Sequence, residues 1–267
     1  MQVGARGFDE RAAREYIKEA ADDPIGRVIG LGDFGDGISP SNRKLLAVAH
    51  REHKVYDTFM DMLKHGADEQ TRLICSLLMP LVGKLDFSLM GHHNFDYVVR
   101  KPDGTHSIRT TDHDIADFLG CRYYGEPGED MPMLLASYYF PRTRVDGPRP
   151  EFRMFAMHGS SGGATLAGPL NSLEKQMRAH NAHVYITAHH HKLVAAAAVK
   201  LEGDPTHETK LRATDSRLVG AGSWLKGFLA DETTYAEAAG YSPLALGAPI
   251  IDVTRRDDGT FRTRVTI

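Results

Sequence analysis

Short apolar runs along the chain repeatedly end on a side chain that can bind a metal. The first run, from Val28 to Leu31, ends at Gly32-Asp33 and is followed by a second acid, Asp36. A short run that stops at a glycine and an acid is typical of a buried parallel strand. Because ligands of open α/β sheets bind outside the carboxyl ends of the strands, Asp33 is a candidate ligand for a bound group.

The same pattern occurs three more times, and there the runs end in histidines. These runs are residues 87–90, 153–157 and 184–187. They lead into Gly91-His92-His93, His158-Gly159 and Ala188-His189-His190-His191. We therefore predict that four chain segments bring metal-binding side chains together at strand ends.

Helical periodicity separates the strands in the first half of the chain. Residues 8–22 are predicted to form a helix capped by Asp9. A long helix is predicted to end at about Lys64, just before Gly66, and a second helix to cover about residues 67–82. The order of helix, strand, two helices and strand indicates a layered α/β fold.

The second half of the chain is predicted to be richer in strands. After a short helix at residues 112–119, Met133–Phe140 and Glu151–Met157 are predicted to pair. A helix is predicted to open at Pro169. Further strands are predicted at residues 184–187, 195–200, part of 211–219, 250–254 and 261–267. Since no strong linker divides the sequence, we predict a single domain over residues 1–267.

Composition changes this picture in one respect, the number of histidines. The 267 residues are 42% hydrophobic and 25% charged, which is typical of a soluble chain with a substantial core. The net charge of −3 predicts no global attraction to nucleic acid or membrane. The sequence has neither a long apolar run nor a disulfide framework, so we expect a cytoplasmic protein. The 14 histidines are unusual, and many of them lie at the predicted strand ends.

A carboxylate and several imidazoles at strand ends suit a borderline divalent cation such as Zn²⁺, Mn²⁺ or Fe²⁺. Such an ion lowers the pKa of bound water toward about 7 and polarises a phosphoryl oxygen. Two ions about 3.5–4 Å apart would contact both the attacking and the leaving oxygen. A nearby imidazole can protonate the leaving oxygen. These residue types therefore favour hydrolysis over redox chemistry or transfer through an organic cofactor.

Each candidate residue also has a purely structural interpretation. Asp33 could cap a helix or a turn, and the histidines at 92 and 93 could bond to loop backbone. His158 alone is a weak signal. His189 and His191 are a stronger signal, because residues i and i+2 of an extended segment point the same way. The four placements together favour a shared site.

A separate group of basic residues surrounds the turn at residues 146–148. Arg142, Arg144 and Arg149 could contact the phosphates of a nucleic acid. A solvated hairpin tip is the simpler interpretation of the same residues.

The ordered set of strand-end motifs resembles the calcineurin-like metallophosphoesterase family. The family's blocks read Gly-Asp, Gly-Asn-His-acid, His and Gly-His-x-His. The matching motifs in this chain are Gly32-Asp33 with Asp36, Gly91-His92-His93-Asn94, His158-Gly159 and Ala188-His189-His190-His191. The resemblance covers roughly residues 27–191 and implies a four-layer α/β/β/α sandwich, with two sheets inside and helices outside.

The resemblance also implies a ligand set for divalent ions. Asp33 would bridge two ions, and His92, which replaces a ligating asparagine, would bind one of them together with His158 and His189. The other ion would take His191 as a ligand. The histidine at 93 would be the catalytic residue that protonates or stabilises the leaving group. Mn²⁺ is the favoured ion, with Zn²⁺ and Fe²⁺ as alternatives.

The chain departs from the family pattern at its amino end. No Asp-x-His motif precedes Asp33, and Gln2 stands in the place of the histidine if Gly4 matches the family's glycine. We therefore predict one well-bound ion and a second, weaker ion, unless Gln2, Asp36 or His190 is recruited. Activity is expected to be reduced or altered.

The expected function is hydrolysis of phosphate esters by a metal-activated water, as a phosphomonoesterase or phosphodiesterase. The substrate would be a phosphorylated small molecule, a nucleotide or a nucleic acid, with no membrane involved. One alternative is a catalytically silent metal-binding module, because the first motif is missing. Another is a nuclease acting on DNA or RNA ends, which the absence of a strongly basic composition disfavours. Self-association that covers the missing strand, giving a homo-oligomer, is a further hypothesis.

Overall fold

The chain folds into two compact units in a computed structural model. One unit is Met1–Pro132 with Trp224–Pro243, and the other is Met133–Ser223 with Leu244–Ile267. The fold is of the mixed α/β class, as the sequence predicted. The expectation of a single domain stays a prediction. The structure describes residues 1–36, 46, 48–100, 102–126, 131–142, 149–160, 165–203, 209–231, 233–234, 237 and 244–267.

The first unit combines three helices with five short strands among the residues that the structure describes as named elements. In chain order they are α1 (Glu10–Asp22), β1 (Val28–Gly30), α2 (Asp57–Leu78), a 3₁₀ turn (Met79–Leu81), β2 (Leu85–Leu89), β3 (Asp96–Arg100), β4 (His106–Thr110), α3 (Thr111–Leu119) and β5 (Arg122–Tyr124).

Three strands of the first unit form a parallel sheet in the order β1-β2-β5. Ile29 lies opposite Phe87, and Phe87 lies opposite Arg122. Because the carboxyl ends of parallel strands meet at one edge of a sheet, the residues after β1 and β2 leave the sheet at the same edge. β3 and β4 form a separate antiparallel hairpin.

Helices pack on this sheet through apolar stripes. Asp9 caps α1 by accepting the N–H of Ala12 at 3.1 Å, as predicted. Residues buried from α1, α2, α3 and β2 share one core. This core includes Ile17, Ile74, Leu77, Leu85, Ile115 and Leu119.

Gly66 does not end a helix, so the predicted break near Lys64 is wrong. α2 continues through Gly66 to Leu78. Glycine in a helix interior costs about 1 kcal/mol relative to alanine. That cost is tolerated here because Ile74, Leu77 and Leu78 anchor the later turns of the helix in the core.

The second unit is built on a five-stranded mixed sheet in the order β6-β7-β8-β10-β9. β7, β8 and β10 run parallel, while β6 and β9 pair antiparallel at the two edges. The predicted pairing of residues 133–140 with 151–157 is confirmed. In chain order the elements are β6 (Met133–Tyr139), β7 (Glu151–Met157), α4 (Ala167–Ala179), β8 (Val184–Thr187), β9 (Leu193–Gly203), β10 (Leu211–Ala221), β11 (Ile250–Arg255) and β12 (Phe261–Thr266).

The carboxyl ends of β7 and β8 are direct neighbours in this sheet. Met157, the last residue of β7, is paired with Thr187, the last residue of β8. The residues that follow, His158 and Ala188, therefore leave the sheet side by side. Leu173 of α4 packs in one core with Phe155 of β7 and Tyr185 of β8.

Helices long and apolar enough to cross a bilayer are absent from the part of the chain that the structure describes.

Candidate metal centre

Asp33 lies on a tight turn directly after β1. Gly32 and Asp33 both have positive φ angles, of 82° and 52°. L-residues rarely adopt this conformation, and Asp is one of the few that tolerate it. A Cβ on Gly32 would lie 2.5 Å from both the N and the Cα of Gly91. The turn after β1 therefore packs backbone to backbone against the loop after β2, which only glycine allows.

The carboxylate of Asp33 holds the loop that carries the first two histidines. Its Oδ1 accepts the backbone N–H of His92 at 2.6 Å and that of His93 at 2.9 Å. Asp33 is 6% exposed, so these charge-assisted hydrogen bonds are shielded from water. They fix the orientation of the carboxylate and bring both histidines next to it.

The first residues of α3 fix the same loop at both ends. Asp112, which is buried, accepts the N–H of Gly91 through Oδ2 at 2.9 Å. Thr111 accepts the N–H of Phe95 through Oγ1 at 3.1 Å and donates its own N–H to the Phe95 carbonyl at 3.0 Å. Sequence reasoning missed this role, because it predicted a short helix at residues 112–119 but no contact between that helix and the loop after β2. The one available signal was the position of that helix soon after the Gly91-His92-His93 motif.

His93 has an acidic neighbour from the segment after Asp33. Its Nδ1 lies 3.3 Å from Oδ1 of Asp36. A carboxylate at Nδ1 orients an imidazole and stabilises its protonated form. The pair is partly exposed to solvent.

Residues 1–3 run beside residues 33–36. The N–H of Gln2 donates to the Asp33 carbonyl at 3.0 Å, and the N–H of Asp36 donates to the Val3 carbonyl at 2.9 Å. Val3 and Gly35 form a parallel bridge. Gln2, which is buried, therefore lies beside Asp33 along the backbone.

His158 is fully buried at the end of β7. Its carbonyl accepts the N–H of Ala188 at 3.1 Å and the hydroxyl of Thr187 at 3.3 Å. Gly159 has a φ of 91°, and a Cβ there would lie 2.8 Å from Oγ1 of Thr187. The residues after β7 are thus bonded directly to the residues after β8.

The histidine run after β8 is not extended. His189 and His191 have φ angles of 64° and 55°, and the N–H of His190 donates to the Ala188 carbonyl at 2.7 Å. The idea that residues 189 and 191 point the same way from an extended segment is therefore wrong, because the strand ends at Thr187. A left-handed conformation costs about 1–3 kcal/mol for such residues, and it is concentrated at functional sites.

The imidazole of His189 packs against that of His158, with ring centroids 5.4 Å apart at 64°. His190 lies on the other side of His189, with centroids 5.7 Å apart. Burial, together with smaller contributions from the neighbouring His189, Lys192 and His158, lowers the pKa of His190 to about 4. His190 is therefore neutral at neutral pH.

Four of the predicted ligands come together. Asp33, His92, His158 and His189 each offer one ligand atom, and these atoms all lie within 4.8 Å of one another. Ligand atoms about 2.0–2.2 Å from one ion are at most about 4.4 Å apart, so this spacing is close to that of a shared ion. This group could hold a metal ion, as the sequence predicted.

Two predicted site residues are not members of that group. Among the residues that the structure describes, His93 and His191 do not belong to it, and neither do Asp36 and His190. The role of His93 as the catalytic residue, the binding of a second ion by His191 and the identity of the metal stay predictions.

In comparisons with known proteins, no family model, no curated protein and no solved structure matches this chain.

Proposed function

We propose that the chain is a metal-dependent phosphoesterase. The group of Asp33, His92, His158 and His189 carries this proposal. One carboxylate oxygen and three imidazole nitrogens form a donor set that suits Mn²⁺, Zn²⁺ or Fe²⁺. When bound, such an ion lowers the pKa of a water molecule and polarises a phosphoryl oxygen. We propose Mn²⁺ as the native ion and, as the finer fold, the four-layer α/β/β/α sandwich that the motifs imply.

The rigidity of the Asp33 carboxylate supports its role as a ligand. Two backbone N–H groups hold its Oδ1, and the loop that supplies them is itself fixed by Asp112 and Thr111. A ligand oriented by such hydrogen bonds loses little freedom when it binds an ion. The backbone carbonyl of His158 accepts hydrogen bonds from Thr187 and Ala188, which fixes the backbone that carries its buried imidazole.

His93 is proposed as the general acid. Its backbone N–H donates to the Asp33 carboxylate, but its imidazole does not belong to the group of four ligands. The imidazole is therefore not needed to bind the ion. Asp36 lies beside Nδ1, so Nε2 is the nitrogen that we propose as the proton donor. In hydrolysis, Nε2 would protonate the leaving oxygen as the bond from phosphorus to that oxygen breaks; the attacking water would lose its proton to solvent, and solvent would reprotonate His93.

The weaker second ion is also part of the proposal. Asp33 would bridge both ions, and His191 would be a ligand of the second. The substrate proposed is a phosphorylated small molecule or a nucleotide. A catalytically silent metal-binding module remains the alternative, because the group of four lacks the residues of the family's first motif.

Metal content and turnover measured on the same preparations test the proposal. The full chain is stripped with a chelator, reloaded with Mn²⁺, Zn²⁺ or Fe²⁺, dialysed and measured by atomic mass spectrometry. Turnover is measured with p-nitrophenyl phosphate and bis-p-nitrophenyl phosphate. We expect His92→Ala and His189→Ala to lose both metal and turnover. His65→Ala, at an exposed position of α2, is the matched control and should keep both.

The outcomes separate the two hypotheses. Tight metal binding without turnover on either substrate would contradict the enzyme and support the silent module. Metal retained by both His92→Ala and His189→Ala, with folding intact by circular dichroism, would show that the ligand set is wrong.

A further inference from the structure

The second unit contains an open cavity of about 530 Å³ at the far end of the β6–β7 pair. Its lining is Tyr139, Phe140, Pro141, Arg142 and Arg149. This volume lies in the range of small-molecule sites, which is about 300–1,000 Å³. Arg144, which the sequence grouped with these arginines, lies outside the described residues.

The cavity is distinct from the candidate metal centre. Met133 is paired with Met157, next to His158, whereas Tyr139 is paired with Glu151 at the opposite end of the same two strands. Six residues of strand span about 20 Å. A molecule bound at Tyr139 therefore does not reach His158 unless it is several nucleotides or a comparable length long.

Phe140, an aromatic residue of the cavity lining, packs on other aromatic side chains. Phe140 packs on Phe261 with ring centroids 5.1 Å apart, and Phe261 packs in turn on Phe152 at 5.4 Å. The N–H of Phe140 donates to the Pro150 carbonyl at 2.9 Å, which closes the strand pair. Tyr139 is 61% exposed, so its ring is accessible to a ligand.

Positive charge is concentrated around these rings although the chain carries a net charge of −3. Arg142 and Arg149 line the cavity, and Arg255 donates to the Pro141 carbonyl at 3.3 Å. Glu151, which lies opposite Tyr139 across the strand pair, accepts the hydroxyl of Ser137 at 2.5 Å. Guanidinium groups bind phosphate oxygens, and exposed aromatic rings stack on bases.

We infer that this cavity binds a nucleotide unit, with its base against Tyr139 and its phosphate at Arg142 and Arg149. The unit comes either from a free nucleotide or from a single-stranded nucleic acid. This inference does not depend on the proposed function, because binding here needs neither a metal nor turnover.

Fluorescence anisotropy of a labelled oligothymidylate tests the inference on the full chain at low salt with EDTA, which also prevents metal-dependent cleavage. We expect Tyr139→Ala and Arg149→Ala each to weaken binding about tenfold. Tyr139→Phe should keep the affinity, because it keeps the ring. Arg212→Ala, at an exposed position of β10, removes the same charge outside the cavity and should change the affinity less than twofold.

Competition identifies the source of the nucleotide. Displacement of the probe by AMP would support a free nucleotide, and displacement only by unlabelled oligonucleotide would support a nucleic acid. The inference is overturned if the wild-type chain does not bind the probe. It is also overturned if Arg212→Ala weakens binding as much as Arg149→Ala does, since that would mean diffuse charge attraction. Circular dichroism of each variant checks that the fold is kept.

Discussion

Gly91 lies so close to Asp33 that a Cβ at position 91 would stand 2.2 Å from the Asp33 nitrogen and 2.3 Å from its Oδ1. The loop after β2 can therefore approach the turn after β1 only without a side chain. This contact allows the Asp33 carboxylate to receive the N–H groups of both following histidines. The geometry of the candidate ligands thus depends on Gly91, which offers no ligand atom of its own.

Gly91→Ala should destabilise the chain and weaken metal binding together. The added methyl group must displace either the turn or the loop, and overpacking of this kind costs about 1–3 kcal/mol. A lower thermal midpoint and a lower metal content after dialysis are the expected results. Gly66→Ala is the control, because a Cβ there meets nothing within 4 Å and a helix interior favours alanine. It should leave metal content unchanged and raise the midpoint slightly. Normal stability and metal content in Gly91→Ala would contradict the steric argument.

Asp112→Ala should weaken the attachment of the loop after β2 to the start of α3. The buried N–H of Gly91 would lose its acceptor, which costs about 1–3 kcal/mol. Asp112→Asn keeps an oxygen at the same position and should be less destabilising. Hydrogen exchange measures the effect directly, since the protection of the Gly91 amide should fall in the alanine variant and largely persist in the asparagine variant. Equal protection in all three proteins would contradict the assigned contact.

β8, which is buried on both faces, could be predicted from the sequence, as could the half-exposed strands β6, β11 and β12, but the β3–β4 hairpin could not. β8 was predicted at residues 184–187, where the structure has it, because these residues form a short, mostly apolar run. All four are buried in the structure. β3 and β4 were not predicted. Val98 and Ile108 are paired across that hairpin but are 63% and 55% exposed, so no burial pattern marks them. Their pairing depends on the partner strand, which a local pattern does not reveal.

The candidate ligands could be predicted because each follows an apolar strand, and the positions of parallel strand ends are predictable. The supporting residues could not. Asp112 has the sequence features of any acid in a first helical turn, and only the fold shows that it bonds to Gly91. The left-handed backbone at His189 and His191 was missed for a similar reason, since tertiary contacts and not local preference impose it.

His93→Ala should keep the metal and lose turnover. His93 is outside the group of four ligand atoms, and loss of a general acid lowers rates by about 10²–10⁴-fold. Asp36→Asn should have a smaller effect on rate, because it removes the charge beside Nδ1 but keeps a polar group there. A substrate whose leaving group is strongly acidic does not need protonation of its leaving oxygen. Both changes should therefore leave the turnover of such a substrate nearly unchanged. Loss of metal in His93→Ala would instead make this residue a ligand.

Cys75 and Cys121 should react slowly with alkylating reagents in the folded chain. Burial raises the pKa of each thiol from 9.0 to about 11, with a smaller contribution from Asp114 at Cys75. At about pH 8 the reactive thiolate is then roughly a hundredfold rarer than in an unperturbed thiol. Alkylation by iodoacetamide, followed by mass spectrometry, should therefore be slow in native protein, fast in denaturant, and faster as the pH rises toward 11. Equal rates in native and denatured chain would contradict the burial of these thiols.

Metal removal should lower the thermal midpoint, and more so at neutral than at acidic pH. An ion that binds only the folded chain stabilises it by about 2.7 kcal/mol at a concentration one hundred times its Kd. Three of the four ligands are imidazoles, which must be neutral to bind and which protonate near pH 6.5 when unperturbed. The stabilisation by added Mn²⁺ should therefore be full above about pH 7 and should vanish as the pH falls toward about 5. Calorimetry with and without the ion measures it, and His189→Ala is the control that should show no stabilisation at any pH. A metal-induced shift that is independent of pH, or that persists in His189→Ala, would mean that the ion binds through other groups.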